Sequence, residues 1–491
     1  MAENITHWQT IPARRAVTAE YPDGIDERLK RVLAERGITK LYSHQAEAVG
    51  AVLDGRDTVI VTPTASGKTL CYNLPTLNHI LHEPSARALY LFPTKALSQD
   101  QLAELMGLVE RLEVDIKTYT FDGDTPVTAR RAIRAAGHIV VTNPDMLHAG
   151  ILPHHTKWIK LFENLRYVVI DEIHQYRGVF GSHLANVIKR LKRICAFYGS
   201  DPQFICCSAT IANPGELAGR IIGREVTVVD NNGAPAGEKH IILYNPPVIN
   251  PQLGIRRSAI NEASRLAMLF LRERIQTIVF AQFRLNVEVM LTYLQRELKK
   301  ARRGGVTIAG YRGGYLPNER RRIERGLRSG EITGVVSTNA LELGIDIGSL
   351  DVSIVLGYPG SIASLWQQAG RAGRRAGSSL TILVANSSAI NQFLCSEPQY
   401  LFQRTPEAGV IDPDNLIIKT NHLKCAAFEL PFDESEFSSD PGTAGILDYL
   451  AGEQILRRTG DRYHWSTEIY PAQQVSLRSA SPDNFVILNE S

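Results

Sequence analysis

Thr58-Val59-Ile60-Val61-Thr62-Pro63-Thr64-Ala65-Ser66-Gly67-Lys68-Thr69-Leu70 passes from a β-branched run, through a loop of small residues, into an apolar helical stretch. The order is strand, loop, helix. A loop so placed presents backbone N–H groups to phosphates at a helix N-terminus. Lys68 can reach the outer phosphates as a point charge, and the Thr69 hydroxyl can hold a magnesium ion. The strict phosphate-loop pattern has glycine where this chain has Thr62. A Gly-Lys-Thr tripeptide alone is often chance, so a second signal is needed.

That signal lies about a hundred residues on. Asn164-Leu165-Arg166-Tyr167-Val168-Val169-Ile170 reads as a buried parallel strand and ends in Asp171-Glu172-Ile173-His174. Paired carboxylates at the carboxyl end of such a strand suit a nucleotide site in an open α/β sheet. Asp171 is expected to hold the magnesium, and Glu172 to orient and deprotonate a water. A solvated acidic turn would not explain why the pair follows an apolar strand. A third element is Gln367-Gln368-Ala369-Gly370-Arg371-Ala372-Gly373-Arg374-Arg375. Arg371 and Arg374, three apart, share a helix face and can clamp a transferring phosphoryl group.

Composition bounds the rest. The 491 residues suffice for several buried cores, and 54 basic against 51 acidic residues leave a formal charge of +3. Any nucleic-acid binding must therefore come from a local groove rather than from bulk charge. Six cysteines, with no CxxC pair, read as buried apolar residues; Cys206 and Cys207, neighbours on a strand, should point to opposite faces. This excludes a disulfide scaffold and gives no zinc site. A reduced, cytoplasmic setting is the default. The polar start Met1-Ala2-Glu3-Asn4 carries no signal-peptide core, and no run reaches 18 apolar residues, so no membrane contact is expected.

Apolar strands alternate with helical patterns twice. The first series is Thr58–Val61, Ala88–Phe92, Asp115–Thr120, Ile139–Thr142, Tyr167–Ile170 and Gln203–Ser208. After Pro/Gly-rich turns near Asn231–Gly237 and Asn245–Pro247, the second is Thr277–Phe280, Val306–Ala309, Thr333–Ser337, Val352–Leu356 and Leu380–Val384. The expected fold class is α/β, two tandem parallel-sheet domains with a partial, mostly helical C-terminal segment. The expected bounds are an N-terminal extension 1–40, domain one 41–230, a linker 231–260, domain two 261–390 and the segment 391–491.

In this order the segments resemble a superfamily 2 DEXH-box helicase core over about residues 41–390, which implies that the two domains are RecA-like. Gln45, in Leu41-Tyr42-Ser43-His44-Gln45, stands where that family reads adenine. Thr64, Ala65, Ser66, Gly67, Lys68 and Thr69 look like motif I, and Pro93-Thr94-Lys95-Ala96-Leu97 like motif Ia. Thr142-Asn143-Pro144-Asp145-Met146 resembles motif Ib, Asp171 to His174 motif II, and Ser208-Ala209-Thr210 motif III. Val279 to Arg284 looks like motif IV, with Tyr311-Arg312-Gly313-Gly314 its companion. Thr338 to Gly348 resembles motif V and Gln367 to Arg374 motif VI. The extended stretch Asp171 to His183, with Tyr311 to Tyr315 and Leu341 to Gly348, resembles the MrfA (YprA-like) and fungal Hrq-type DNA repair helicases.

The resemblance implies a 3′→5′ DNA helicase that hydrolyses ATP with Mg2+ and acts on single-stranded and tailed duplex DNA, with repair proteins as possible partners. It implies a cytoplasmic protein, at the nucleoid if bacterial. Gly344 and Asp346 join the ATP site, and Gln367 joins Glu172, Lys68, Arg371 and Arg374 in catalysis. His174, Ser208 and Thr210 couple the site to motion; His174 has the alternative of satisfying a buried strand end. Pro93, Thr94, Lys95, Thr142, Asn143, Phe283, Arg284, Arg312, Gly313 and Thr338 are the expected strand contacts, directed to phosphates rather than bases. Relatives run longer and end in a cysteine-bearing zinc module, so the C-terminal segment is expected to be truncated or completed by another polypeptide. A DEXH-type RNA helicase and a non-unwinding ATP-gated repair scaffold remain as alternatives. The arginine-rich run Arg320, Arg321, Arg322, Arg325 and Arg328 reads as a solvated helix face. Trp366 reads as core packing, and His154-His155 as a polar loop.

Overall fold

A computed structural model of the protein describes residues 2–300, 305–345, 347–348, 350–373, 377–437 and 440–479. Among these, the strands of the first domain form one seven-stranded parallel sheet. Its order is Thr227–Val229, Thr58–Val61, Gln203–Ser208, Leu165–Ile170, Arg87–Leu91, Ile139–Thr142 and Thr118–Thr120. The strand pleat sends alternate residues to opposite faces. Val59, Val61, Leu89, Leu91, Val168, Ile170 and Cys206 enter one core, and Ile60, Ala88, Tyr90, Val169, Ile205 and Cys207 the other. Helices cover both faces, which is why these strands read as unbroken apolar runs.

The second sheet runs Ile5–Ile11, Lys239–Tyr244, Ser379–Val384, Val352–Leu356, Thr277–Ala281, Gly334–Ser337 and Ile308–Tyr311. It is parallel except at its first pair. Here the structure differs from expectation. The N-terminal residues do not stand apart as an extension. Ile5–Ile11 pairs antiparallel with Lys239–Tyr244, a strand inside the stretch expected to be linker. Helix Glu27–Glu35 meanwhile buries Leu29, Val32 and Leu33 in a domain-one core. The first 40 residues thus serve both domains. The edge strand escaped notice because only alternate residues are partly buried, leaving it half polar.

Beyond the second sheet, helices Leu416–Glu429 and Pro441–Gly452 pack on a small antiparallel sheet of Phe432–Asp433, Arg462–Trp465 and Leu456–Thr459. Phe432, Phe437, Leu447, Leu450, Leu456 and Tyr463 make its core. This segment docks on domain one through a buried polar seam. Arg190 and Glu429 form an ion pair with side chains 3% and 1% exposed. Arg190 Nη1 donates to His148 Nδ1 at 2.7 Å and to His422 Nδ1 at 3.2 Å. Since both Nδ1 atoms accept, the protons sit on Nε2. His148 Nε2 then donates to Ala472 O at 3.1 Å, and His422 Nε2 to His183 Nδ1 at 2.9 Å. His183 Nε2 in turn donates to Ser479 O at 2.9 Å. Every ring is neutral and satisfied. Burial holds the His148 pKa down at about 3 and pushes that of His422 well below the usual imidazole value. Among the described residues, no helix is long and apolar enough to cross a membrane.

Candidate functional site

The phosphate loop is built by backbone geometry that its residue types permit. Ala65 and Gly67 have φ of 64° and 79°, in the left-handed region. At Gly67 the requirement is also steric, because a Cβ would stand 2.6 Å from Gln45 Nε2. Thr62, where the strict pattern has glycine, lends its hydroxyl to the loop: Thr62 Oγ1 and Ser66 Oγ lie 2.6 Å apart, both buried. Gln45 braces the loop from outside. Its Nε2 donates to Gly67 O at 2.9 Å, and its Oε1 accepts from the Tyr42 backbone at 2.9 Å. Its amide is thus occupied within the protein. It nonetheless lines a cavity of about 400 Å3 with Arg36, Ile38, Tyr42, Leu70 and Leu108, whose aromatic and aliphatic side chains can pack against a base.

Lys68 Nζ donates to Thr62 O at 2.6 Å and Pro63 O at 3.1 Å. The ammonium is held over the loop by the carbonyls that a triphosphate would outbid. A cavity of about 530 Å3 opens beside it, lined by Thr64–Thr69, Asp171 and Glu172 of domain one and by Gly344 of domain two. Thr69 Oγ1 donates to Gln101 Oε1 at 2.9 Å, as does the Tyr72 hydroxyl at 3.1 Å.

Asp171 and Glu172 are 7% and 5% exposed. Burial, and then the neighbouring Glu172 charge, push the Asp171 pKa up to about 7. Glu172 takes a left-handed backbone, φ 52°, which turns its side chain toward domain two; a Cβ on Gly344 would lie 3.2 Å from its Oε1. Glu172 Oε2 is buried without a hydrogen-bond partner. Two buried carboxylates short of positive charge, one with an orphaned oxygen, and a nearby threonine hydroxyl form a hard-oxygen donor set that fits Mg2+.

His174 connects this centre to domain two. Its Nδ1 accepts from Ala209 N at 3.1 Å, and its Nε2 lies 2.6 Å from the Gln367 side-chain amide. With Nδ1 accepting, the neutral ring carries its proton on Nε2; the Gln367 atom facing it is the amide nitrogen, and turning the amide over puts the oxygen there to receive the proton. Burial lowers the His174 pKa to about 4, so the ring is neutral, and Glu172 Oε2, 3.4 Å from Nδ1, gains no bond from it. The expected partner Thr210 is not in this chain of bonds. It is exposed on an interdomain cavity, and the Ala209 backbone makes the link instead. Ser208 Oγ donates to Ala209 O at 2.6 Å and so stiffens that backbone. A Cβ on Gly370 would collide with Thr64 Oγ1, so the two domains meet there at backbone distance.

Arg371 is placed differently from the expected finger. Its side chain is wholly buried and donates to Glu342 O at 2.8 Å and Ile345 O at 2.6 Å. The guanidinium locks the turn Leu341–Ile345 rather than entering the nucleotide cavity. The reason is local: that turn leaves carbonyls pointing inward, and a five-donor fork satisfies several at once. Asp346 and Arg374 lie outside the described residues.

Residues 42–217 match the DEAD/DEAH box helicase family, 261–376 the helicase conserved C-terminal domain, and 411–480 the winged helix domain of the ATP-dependent helicase HRQ1. The ATP-dependent helicase YprA of Bacillus subtilis is 59% identical over 489 residues, covering 100% of this chain and 65% of that protein. The ATP-dependent helicase hrq1 of Schizosaccharomyces pombe is 37% identical over 475 residues, 94% of this chain and 44% of its own. The crystal structure of the DUF1998 helicase MrfA bound to DNA and AMPPNP is similar with a TM-score of 0.93 at 58% identity, covering 99% of this chain and 68% of that one. The chain belongs to the MrfA, YprA and Hrq1 branch of the superfamily 2 helicases. It spans less than two thirds of the length of the two curated relatives.

In a helicase of this branch the segment docked by the Arg190–Glu429 seam is a winged helix domain. The expected strand contacts lie at or just after the carboxyl ends of neighbouring strands. Phe283 is 65% exposed and Arg284 also faces solvent. Lys95 is exposed and paired with Asp124 at 2.8 Å. Thr94 and Asn143 cap helix N-termini, accepting from Leu97 N and Met146 N. Arg312 is held by Glu288 at 2.7 Å and lies over the Tyr315 ring, beside Gly313. Pro93 is half-buried at the entry to the motif Ia helix. Two expected contacts are corrected. Thr142 is 1% exposed and donates its hydroxyl to Phe121 O; Thr338 is 7% exposed and its hydroxyl accepts from Ala340 N. Thr142 has spent its hydroxyl proton on a neighbouring strand end, and Thr338 is set back by burial.

Proposed function

We propose that this chain is the motor of an ATP-driven DNA helicase that moves 3′→5′ along single-stranded DNA and serves DNA repair in the cytoplasm, at the nucleoid if the cell is bacterial. The observation that carries the reading is the His174–Gln367 bond. It ties the segment that follows the carboxylate-bearing strand of one sheet to the motif VI helix of the other, so a shift of Glu172 and His174 at the γ-phosphate is felt across the cleft. MrfA, similar over nearly the whole of this chain, was crystallised with DNA and AMPPNP, the ligands this site would take.

Glu172 is placed to accept the proton of the attacking water, and its orphaned Oε2 is the basic atom. Bound Mg2+ would neutralise charge on the β- and γ-phosphates, with Asp171 and Thr69 as its holders. Lys68 leaves the carbonyls of Thr62 and Pro63 for the phosphates. Domain closure keeps Gly344 and the motif VI residue Gln367 against the substrate side of the cleft, which excludes water. After hydrolysis the cleft reopens and strand contacts on the two sheets alternate their grip, giving stepwise motion. The test is unwinding of a 3′-tailed against a 5′-tailed DNA duplex. The reading expects the 3′ tail to be required; equal unwinding from a 5′ tail would overturn the polarity.

A further inference from the structure

The arginine-rich helix Pro317–Ser329 is not simply a solvated face. Arg320, Arg321, Arg325 and Arg328 line a cavity of about 850 Å3 whose other wall is the motif Ia helix of domain one. Arg321 Nη2 donates to Gln99 Oε1 at 2.9 Å across that cleft. Of these arginines, Arg328 also lines the neighbouring nucleotide cavity, with Lys68, Thr69, Asp171 and Glu172.

Arg328 is fixed in place by motif V. Gly348 has φ +78°, and a Cβ there would stand 3.2 Å from Arg328 Cα and 3.6 Å from its Cγ. Glycine lets the motif V loop press against the helix at this residue. The same loop carries Gly344 to the nucleotide cavity. The Arg328 side chain is exposed and, among the described residues, forms no ion pair. Arg371, by contrast, is consumed by the carbonyls of Glu342 and Ile345. The helix end thus offers an uncommitted guanidinium to the cavity from the domain-two side.

We propose that Arg328 contacts the terminal phosphate of bound ATP and so draws the Pro317–Ser329 helix toward domain one when that phosphate is present. This rests on the ATP reading of the cavity. A planar guanidinium suits a phosphate, with two parallel N–H donors. Loss of the γ-phosphate removes the contact and frees the helix, which makes Arg328 a discriminator between ATP and ADP.

The test measures binding of AMPPNP and of ADP, each with Mg2+, to the full chain and to Arg328→Ala, Arg328→Lys and Arg325→Ala. Arg328→Ala should weaken AMPPNP by about tenfold or more while leaving ADP within about twofold, because one charge-assisted contact is lost. Arg328→Lys should fall between, since it keeps the charge and loses the fork. Arg325→Ala, which lines only the outer cavity, should bind both nucleotides as the parent does. Equal losses for ADP and AMPPNP in Arg328→Ala, or none, would overturn the proposal while leaving the ATP reading standing. Failure of the parent chain to bind AMPPNP at all would overturn both.

Discussion

Gln367 and His174, 193 residues apart in the chain, meet at 2.6 Å across the interdomain cleft. The contact joins the segment just after the strand that ends in Asp171 and Glu172 to the helix Ile362–Ala369. It is also directional: His174 can donate to Gln367 only because its other nitrogen accepts from the Ala209 backbone. The Ala209 backbone of domain one and the helix Ile362–Ala369 of domain two therefore share one hydrogen-bonded chain that passes beside Glu172.

Removing either end should uncouple the two. His174→Ala and Gln367→Ala are each expected to keep nucleotide binding and lose most of the stimulation of ATPase activity by single-stranded DNA. The double variant should be little worse than either single one, with a coupling energy of about 0.5–3 kcal/mol. Additive losses, measured in a double-mutant cycle on the stimulated rate, would show that the residues act separately.

Glu172→Gln separates binding from chemistry. The amide keeps the shape of the side chain and cannot take a proton from water. ATP affinity should hold while turnover falls by about 10²–10⁴. Single-turnover kinetics with saturating ATP check this; a normal rate would place the base elsewhere.

Breaking the Arg190–Glu429 pair should loosen the winged helix domain. Glu429→Ala leaves a buried guanidinium without its counter-charge, at a cost of about 3–5 kcal/mol. Thermal melting should show a lower first transition, and limited proteolysis should cut between the second sheet and helix Leu416–Glu429. An unchanged melt would mean that His148 and His422 suffice to hold Arg190.

The same seam should respond to acid. His148 and His422 have pKa values held below that of an unfolded histidine, about 6.5. Their neutral forms favour the docked state, so this stability is present above pH 6.5 and is lost as the pH falls toward about 3. Tryptophan fluorescence, with Trp465 as reporter in the winged helix domain, should show undocking over that window. Retention of the docked state to pH 3 would contradict the assigned tautomers.

The sheets were legible because both their faces are covered, which makes each central strand a continuous apolar run such as Val168-Val169-Ile170. The nucleotide site was legible because its loop and its carboxylates each follow such a strand. Edge strands were not. Ile5–Ile11 pairs only with Lys239–Tyr244, and nothing in a half-polar heptapeptide tells which sheet it will join. Thr142 was read as a phosphate contact, but the Phe121 carbonyl took its hydroxyl proton first, and Thr338, read the same way, is buried once the strand end folds. Arg371 met carbonyls that exist only once its neighbouring turn has folded. Arg328 and the histidines of the winged-helix seam gain their meaning from segments more than a hundred residues away, a pairing no local pattern carries.

The central claim is that nucleotide turnover in this cleft is driven by DNA on the strand face. Its most direct test is the steady-state ATPase rate of the chain with single-stranded DNA, with single-stranded RNA of equal length and with no polymer, each at rising salt and each repeated with Lys68→Ala. The account predicts that DNA stimulates the rate well above RNA, that the stimulation fades as salt displaces phosphate contacts, and that Lys68→Ala abolishes turnover under every condition. A rate indifferent to polymer, one preferring RNA, or one surviving in Lys68→Ala would contradict it.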